Sequence, residues 1–523
     1  MRELSAREER AIRFARGDLR RVLGDLSLGD MAGHIHLDLV ARSRTGPAKQ
    51  LTHDGFAIVP AAGEYRVVAR SVRGLVYGAY ALLESLGCRW YFPGPEGEHL
   101  PARPAAPPTE AVIANPETPQ RALVAFWYTK EGPGPYLRDY AQFAMRSRYS
   151  RFYLHWPTGL REAVRTARQH AHGLDIGIKL HIIRDLLPAK LFAAHPEWFR
   201  FADGKRRPDY NLCVSSPEAV AVVTRNAVAQ AKRVPVDVLD FAFWQDDVPD
   251  AWCHCPRCAR LSSSEQNLRL MTAILKGLRQ WDRRARLSFL SYYATAAPPE
   301  SRRIPRGLYL EFAPHSSCYR HDLDDPACPR NAQLMAHLAE NLKAFDKEPP
   351  HLFEYWLDAA LFSFYETPLR RLPLLAQRMA HDVRHYRGQG LAEIATVQLM
   401  PPATLGHVPE LANPGFALLP RLLWDPQTDA AAFLKGFARN YYGTARAASV
   451  LGLVQQADRE HPRYQCDASD RVRGARRAAK LLARAVAQCG DLEREAAHPR
   501  RSRLAALGKM LRHDLAQAKA GEP

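Results

Sequence analysis

The sequence predicts a (β/α)8 barrel preceded by a small α/β domain and followed by an α-helical domain. Three observations predict it. Eight short apolar runs recur between residues 111 and 412 with helical stretches between them, which is the alternation a closed parallel barrel requires. A mixed strand and helix pattern precedes them, and after them strands cease. The boundaries read as 1–110, 111–412 and 413–523, and 523 residues exceed one ordinary core.

The opening "MRELSAREERAIRFARGDLRRVLG" predicts a charged amphipathic helix from Arg2 to Leu23, without the apolar centre of a signal peptide. "GFAIVP" and "YRVVAR" read as strands. "GLVYGAYALLESLG" places Leu75, Tyr80, Leu83 and Leu86 on a helical period stopped by Gly87. The proline-rich, aperiodic "EGEHLPARPAAPPTEAVIANPETP" reads as a linker. The barrel strands are expected at 122–129, 151–156, 175–183, 238–244, 286–295, 307–314, 351–358 and 391–399. Each is apolar along its length, as strands buried on both faces are. From about residue 413, "FALLPRLLWDP", "DAAAFLKGFARNYYG" and "GARRAAKLLARAVAQCG" carry a helical period.

Composition excludes several classes. No run of about 18 apolar residues occurs, so no membrane-spanning helix is expected. As written, the chain is expected to be cytoplasmic. The net charge of +18 comes from arginine spread over the whole chain, with no basic block interleaved with aromatics. It therefore points to solvated faces rather than to a nucleic-acid partner. Oligomeric state is left open.

Reactive residues of such a barrel belong at the C-terminal ends of its strands. Strand 1 ends near Trp127, strand 2 offers His155 and Trp156, and strand 3 His181 and Arg184. Strand 4 offers Trp244, Asp246 and Asp247, strand 5 Tyr292 and Tyr293, and strand 6 Glu311 and His315. Strand 7 offers Glu354, Tyr355, Trp356 and Asp358. Two carboxylates facing each other, one protonated and one ionised, can cleave a glycosidic bond. Aromatic planes suit the apolar face of a sugar ring. The expected catalytic set is Asp246, Asp247, Glu311 and Glu354, and Trp127, His155, Trp156, His181, Arg184, Trp244, Tyr292, His315, Tyr355 and Trp356 are expected to bind substrate. Trp127, His155, His181, Asp246, Glu311 and Glu354 are expected to converge on one cavity. Because adjacent residues face opposite ways on a strand, one of Asp246 and Asp247 enters the mouth, and the small Ala242 narrowly favours Asp246. Arg184 and His181 would hold a sugar carboxylate or hydroxyls.

This predicts a glycoside hydrolase acting on a poly- or oligosaccharide, uronate-containing ones among the candidates, with no cofactor required. One rival is a non-catalytic carbohydrate-binding barrel, which would tolerate loss of the carboxylates. Another is a metal-dependent hydrolase built on Cys253, Cys255 and Cys258. These three share the loop after strand 4, and Cys213 lies in the loop after strand 3. Cys213 or His254 could complete a tetrahedral structural zinc site. A disulfide between loops and reduced thiols are the alternatives, and in each case the cysteines are expected near the pocket rim.

The segment "DGFAIVPAAGEYRVVARSVRGLVYGAYALLESLGCRWYFPGPEGEHLP" resembles the small α/β domain that precedes the barrel in family 20 hexosaminidases and family 67 alpha-glucuronidases. "HPEWFRFADGKRRPDYNLCVSSPEA", "APHSSCYRHDLDDPACPRN" and "RLLWDPQTDAAAFLKGFARNYYG" resemble an uncharacterised bacterial alpha-glucuronidase-like family. The resemblance covers nearly the whole chain. It implies a general acid at the end of strand 4, Asp246 or Asp247, and a base at Glu311 or Glu354. The acids of families 67 and 20 are glutamates, so an aspartate here is one methylene shorter. Such N-terminal domains usually open on a strand, whereas this chain opens on a helix. A start lying further upstream would make the protein periplasmic or secreted.

Overall fold

A computed structural model describes residues 4–40, 46–127, 134–155, 159–301, 303–358, 361, 372–400, 413–460 and 471–520. The first helix, Ala6–Asp25, starts at a Ser5 capping box with Glu8, which satisfies two otherwise orphaned N–H groups. A four-stranded sheet follows in the order Ile35–Leu39, Glu64–Ala69, Phe56–Ala61, Val112–Ala114. The last of these strands falls inside the stretch expected to be linker. Its three apolar residues are too few for a period, yet they pair antiparallel with Phe56–Ile58.

The helix Val72–Ser85 packs closely on this sheet. A side chain at Gly78 would place its Cβ 2.3 Å from Val67 Cγ1, so glycine sets the approach.

Eight parallel strands close a barrel: Gln120–Trp127, Arg151–His155, Asp175–His181, Asp240–Trp244, Arg286–Ser291, Leu308–Phe312, His351–Leu357 and Glu393–Met400. Strand 8 returns to strand 1 from Glu393↔Gln120 to Met400↔Trp127. All eight expected strands are present. Alternation gives each strand an inward face, and the interior cluster holds Tyr153, Ala242, Trp244, Leu290, Tyr292, Phe353 and Tyr355. The opposite faces join the main core beneath the surrounding helices.

The small sheet docks against the start of the barrel strands. Asp54, buried, accepts from Arg73 Nε and from Arg121 of strand 1, both at 2.9 Å. Arg73 also reaches Asp175, the first residue of strand 3, at 3.0 Å. Burial alone would raise the Asp54 pKa, but Arg73 and Arg121 hold it well below the usual carboxylate range. Trp424, at the end of the helix Gly415–Trp424, packs on Phe56 and Tyr77, and its carbonyl accepts from Glu117 N–H. These contacts engage the N-terminal ends of the strands and leave the C-terminal mouth clear of them.

Four further helices follow: Ala430–Tyr441, Ala447–Glu460, Arg471–Glu495 and Arg500–Ala520. No helix among the described residues is long and apolar enough to cross a membrane.

Candidate active site

The mouth is a bowl of rings from five strand ends and the loop after strand 6. Centroid separations are 5.6 Å for His155–His181, 5.1 Å for His181–Trp244 and 5.9 Å for His181–Tyr292. The chain continues at 5.3 Å for Tyr292–His315 and 5.2 Å for His315–Tyr355. Trp244 forms the floor, edge-on to Phe353 at 5.1 Å and anchored by its indole N–H to Ser288 Oγ at 2.8 Å. His181 Nδ1 meets the Gln245 carbonyl at 2.5 Å. A carbonyl only accepts, so Nδ1 carries a proton and donates to it, and Nε2 is the ring nitrogen left for another partner. Burial lowers the pKa values of His155 and His315, which keeps both rings neutral near pH 7.

Asp247 is the strand 4 carboxylate that reaches this bowl. It is exposed, and Tyr292 Oη donates to its Oδ1 at 2.9 Å. Asp246 turns the other way. Its backbone N–H donates to Asn211 Oδ1 at 3.0 Å, and Arg184 and Asp185 are among its charged neighbours. Burial pushes the Asp246 carboxyl up to about 7 against the pull of Arg184. The chain leaves strand 4 at Trp244, so the turn re-aims both side chains and the room left by Ala242 does not decide between them.

Two further expectations are corrected by side-chain direction and a third by depth. Glu354 faces the helical layer, where Tyr386 Oη donates to it at 2.7 Å, and burial with the nearby Asp382 raises it to about 8. Trp356 is on the same face, its indole N–H on Asp382 at 3.0 Å. Glu311 does face the barrel interior, but it is fully buried and ion-paired to Lys179. Glu393 stands beside them, 3.2 Å from Lys179 and 2.8 Å from Arg151. Among the described side chains, the expected convergence therefore reduces to His155 and His181 in the bowl. Arg184 stands exposed beyond Asp246. The side chain of Trp127 and the whole of Trp156 lie outside the described residues.

Two residues at strand ends complete the bowl. Burial, then Asp247 and Asp358, push the Tyr355 hydroxyl well above its ordinary pKa, and the Asp358 backbone N–H donates to the Tyr355 carbonyl at 3.0 Å. Tyr293 is 37% exposed, 4.2 Å from Tyr292, and holds a φ of +48°. A left-handed tyrosine is uncommon and persists where its surroundings fix it. The pairing of Tyr292 with Tyr293 at a strand end was the only sequence signal for it.

Among the described residues three groups could gather a cation. Glu311, His351 and Glu393 already face Lys179 and Arg151, which supply the positive charge there. Cys318, His321 and Cys328 lie in the loop after strand 6. Cys213, Cys253, Cys255 and Cys258 form the third group, and all four are buried under the loops rather than set at the rim.

A closed eight-strand barrel, with an α/β unit at its base and helices behind it, is a fold that glycoside hydrolases use. One solved structure with it is a family 138 enzyme targeting pectin rhamnogalacturonan II, at 12% identity and TM-score 0.62, covering 99% of this chain and 85% of that one. Another is a family 115 4-O-methyl-alpha-glucuronidase with specificity for decorated arabinogalactans, at 12% identity and TM-score 0.62, covering 98% and 70%. The N-acetyl-beta-hexosaminidase of Streptomyces plicatus is similar at 15% identity and TM-score 0.53, covering 84% and 90%. No curated protein matches the sequence. Residues 135–454 match the family described as a domain of unknown function, DUF4838, and the chain belongs to that family.

Proposed function

We propose that this protein hydrolyses a glycosidic bond in a poly- or oligosaccharide, with Asp247 as proton donor and Asp358 as the second carboxylate. The observation that carries the reading is the exposed Asp247 bonded by Tyr292 inside a bowl of aromatic and imidazole rings. A pyranose stacks on such rings while its hydroxyls need acceptors and donors, which His181 Nε2 and the tyrosine hydroxyls supply. Asp247 would protonate the leaving oxygen, and Asp358 would act on the anomeric carbon directly or through a water.

A uronate-containing substrate is supported by Arg184 beside the acid loop, since a guanidinium matches a carboxylate bidentately. The family 115 structure, whose substrate group is a methyl-glucuronic acid, points the same way. The proposed division at 1–110, 111–412 and 413–523 puts this site in the central part.

The test is a screen of the purified chain against chromogenic glycosides and uronate-capped oligosaccharides, read as released sugar. Release from a uronate-capped substrate supports the proposal. Binding without release from any member of the panel would replace it with the non-catalytic carbohydrate-binding barrel.

A further inference from the structure

Four buried thiols from two loops gather at one point. Cys213 follows the hairpin made by Phe199–Ala202 and Lys205–Leu212, and the other three belong to the loop after strand 4. All four sulfurs lie within 4.8 Å of one another, with Cys213 Sγ at 3.7 Å from Cys255 Sγ and 3.8 Å from Cys258 Sγ. A tetrahedron with zinc–sulfur bonds of about 2.3 Å has edges of about 3.8 Å. A disulfide would join only two of the sulfurs, at about 2.0 Å, and leave the other two without a reason to converge.

The surroundings favour thiolates. Phe201 N–H donates to Cys253 Sγ at 3.3 Å, and the Arg206 guanidinium lies 3.8 Å from the same sulfur. Ser215 Oγ is 3.1 Å from Cys258 Sγ. Hydrogen bonds to a charged acceptor are the stronger kind and offset the cost of burying it. The loop backbone is also held by one side chain. The buried Gln266 side chain accepts from Cys253 N–H at 3.3 Å and donates to the carbonyls of Cys253 and Cys258 at 3.2 and 3.3 Å. His254, the other candidate ligand, is half exposed and turned to Asp250 at 2.9 Å.

We infer that Cys213, Cys253, Cys255 and Cys258 bind one Zn2+ in a closed structural site that clamps the hairpin 199–212 to the loop bearing Asp246 and Asp247. Each cysteine ligates as a thiolate, so binding releases a proton from every thiol still protonated, and no oxidation state changes. Four buried protein ligands leave no open position for water, which separates this site from a catalytic metal. Asn211, two residues before Cys213, accepts the Asp246 N–H at 3.0 Å, so the clamp extends to the turn that aims the two aspartates. The inference does not rest on the proposed hydrolysis.

The test uses the full chain purified under reducing conditions without added metal. Elemental analysis should find about one zinc per chain, and intact mass should show no loss of hydrogens to a disulfide. Titrating the native protein with a mercurial thiol reagent should release that zinc in full. Replacing zinc by Co2+ should give the intense visible absorption of a tetrahedral thiolate complex. Cys213→Ser should lose the metal, whereas Cys489→Ser, at a buried cysteine outside the cluster, should keep it. Should Cys213→Ser fail to fold, the zinc content and cobalt spectrum of the unaltered chain decide. Less than about a tenth of an equivalent of zinc, against the full occupancy a structural site retains, would overturn the inference. Iron in place of zinc, or a disulfide among these four residues, would do the same.

Discussion

Tyr292 Oη donates to Asp247 Oδ1 at 2.9 Å, joining the end of strand 5 to the exposed carboxylate after strand 4. The bond holds the carboxylate over the rings, and a neutral hydroxyl can shift with it as charge develops. Tyr292→Phe keeps the ring and removes the donor. A hydrogen bond to a charged group contributes about 1.5–3 kcal/mol, so kcat should fall between about ten- and a hundredfold. Steady-state kinetics on an oligosaccharide substrate checks this. Unchanged kcat would mean that the bond positions nothing used in turnover.

Asp246 makes a separate prediction about stability. An unfolded aspartate titrates near 3.9, whereas Asp246 in the fold titrates at about 7. Between those values the folded state keeps a proton that the unfolded state has lost, so stability falls as pH rises through the window. Asp246→Asn removes that dependence, by at most about 4 kcal/mol. Thermal unfolding should place the variant above the unaltered protein at pH 8 and level with it at pH 4.

All eight barrel strands were legible, because strands buried on both faces are continuous apolar runs and each run was long enough to count. The same property hid which way their side chains point. Strand 7 reads His351, Leu352, Phe353, Glu354, Tyr355, Trp356, Leu357, and with no polar alternation its phase cannot be told. His351, Phe353 and Tyr355 take the inner face, so Glu354 and Trp356 meet the helices. Depth was equally hidden at Glu311, since its position depends on Lys179 across the barrel. Asp246 and Asp247 were found as a pair, but the turn that separates them is fixed by Asn211 from a different loop. Asp358 was visible as a strand-end carboxylate, and its backbone N–H closes the strand on the Tyr355 carbonyl.

The base of the barrel gives a prediction independent of activity. Asp54 bridges Arg73 and Arg121, and removing one partner from a buried network leaves charge unpaired. Asp54→Asn should cost about 3–5 kcal/mol in urea unfolding while turnover per folded molecule stays the same. The Asp54 pKa is depressed in the fold. Its contribution is therefore present above pH 4 and is lost as pH falls below it, so the variant and the unaltered chain should converge in acid.

The central claim, that Asp247 protonates a leaving group at the barrel mouth, is tested most directly by Asp247→Asn on two substrates with the same sugar. Asparagine keeps the shape and removes the transferable proton. Turnover of a natural oligosaccharide should fall by about 10²- to 10⁴-fold. Turnover of an activated aryl glycoside, whose leaving group needs little protonation, should fall far less. Full activity of Asp247→Asn on the oligosaccharide would contradict the account and move the acid away from Asp247.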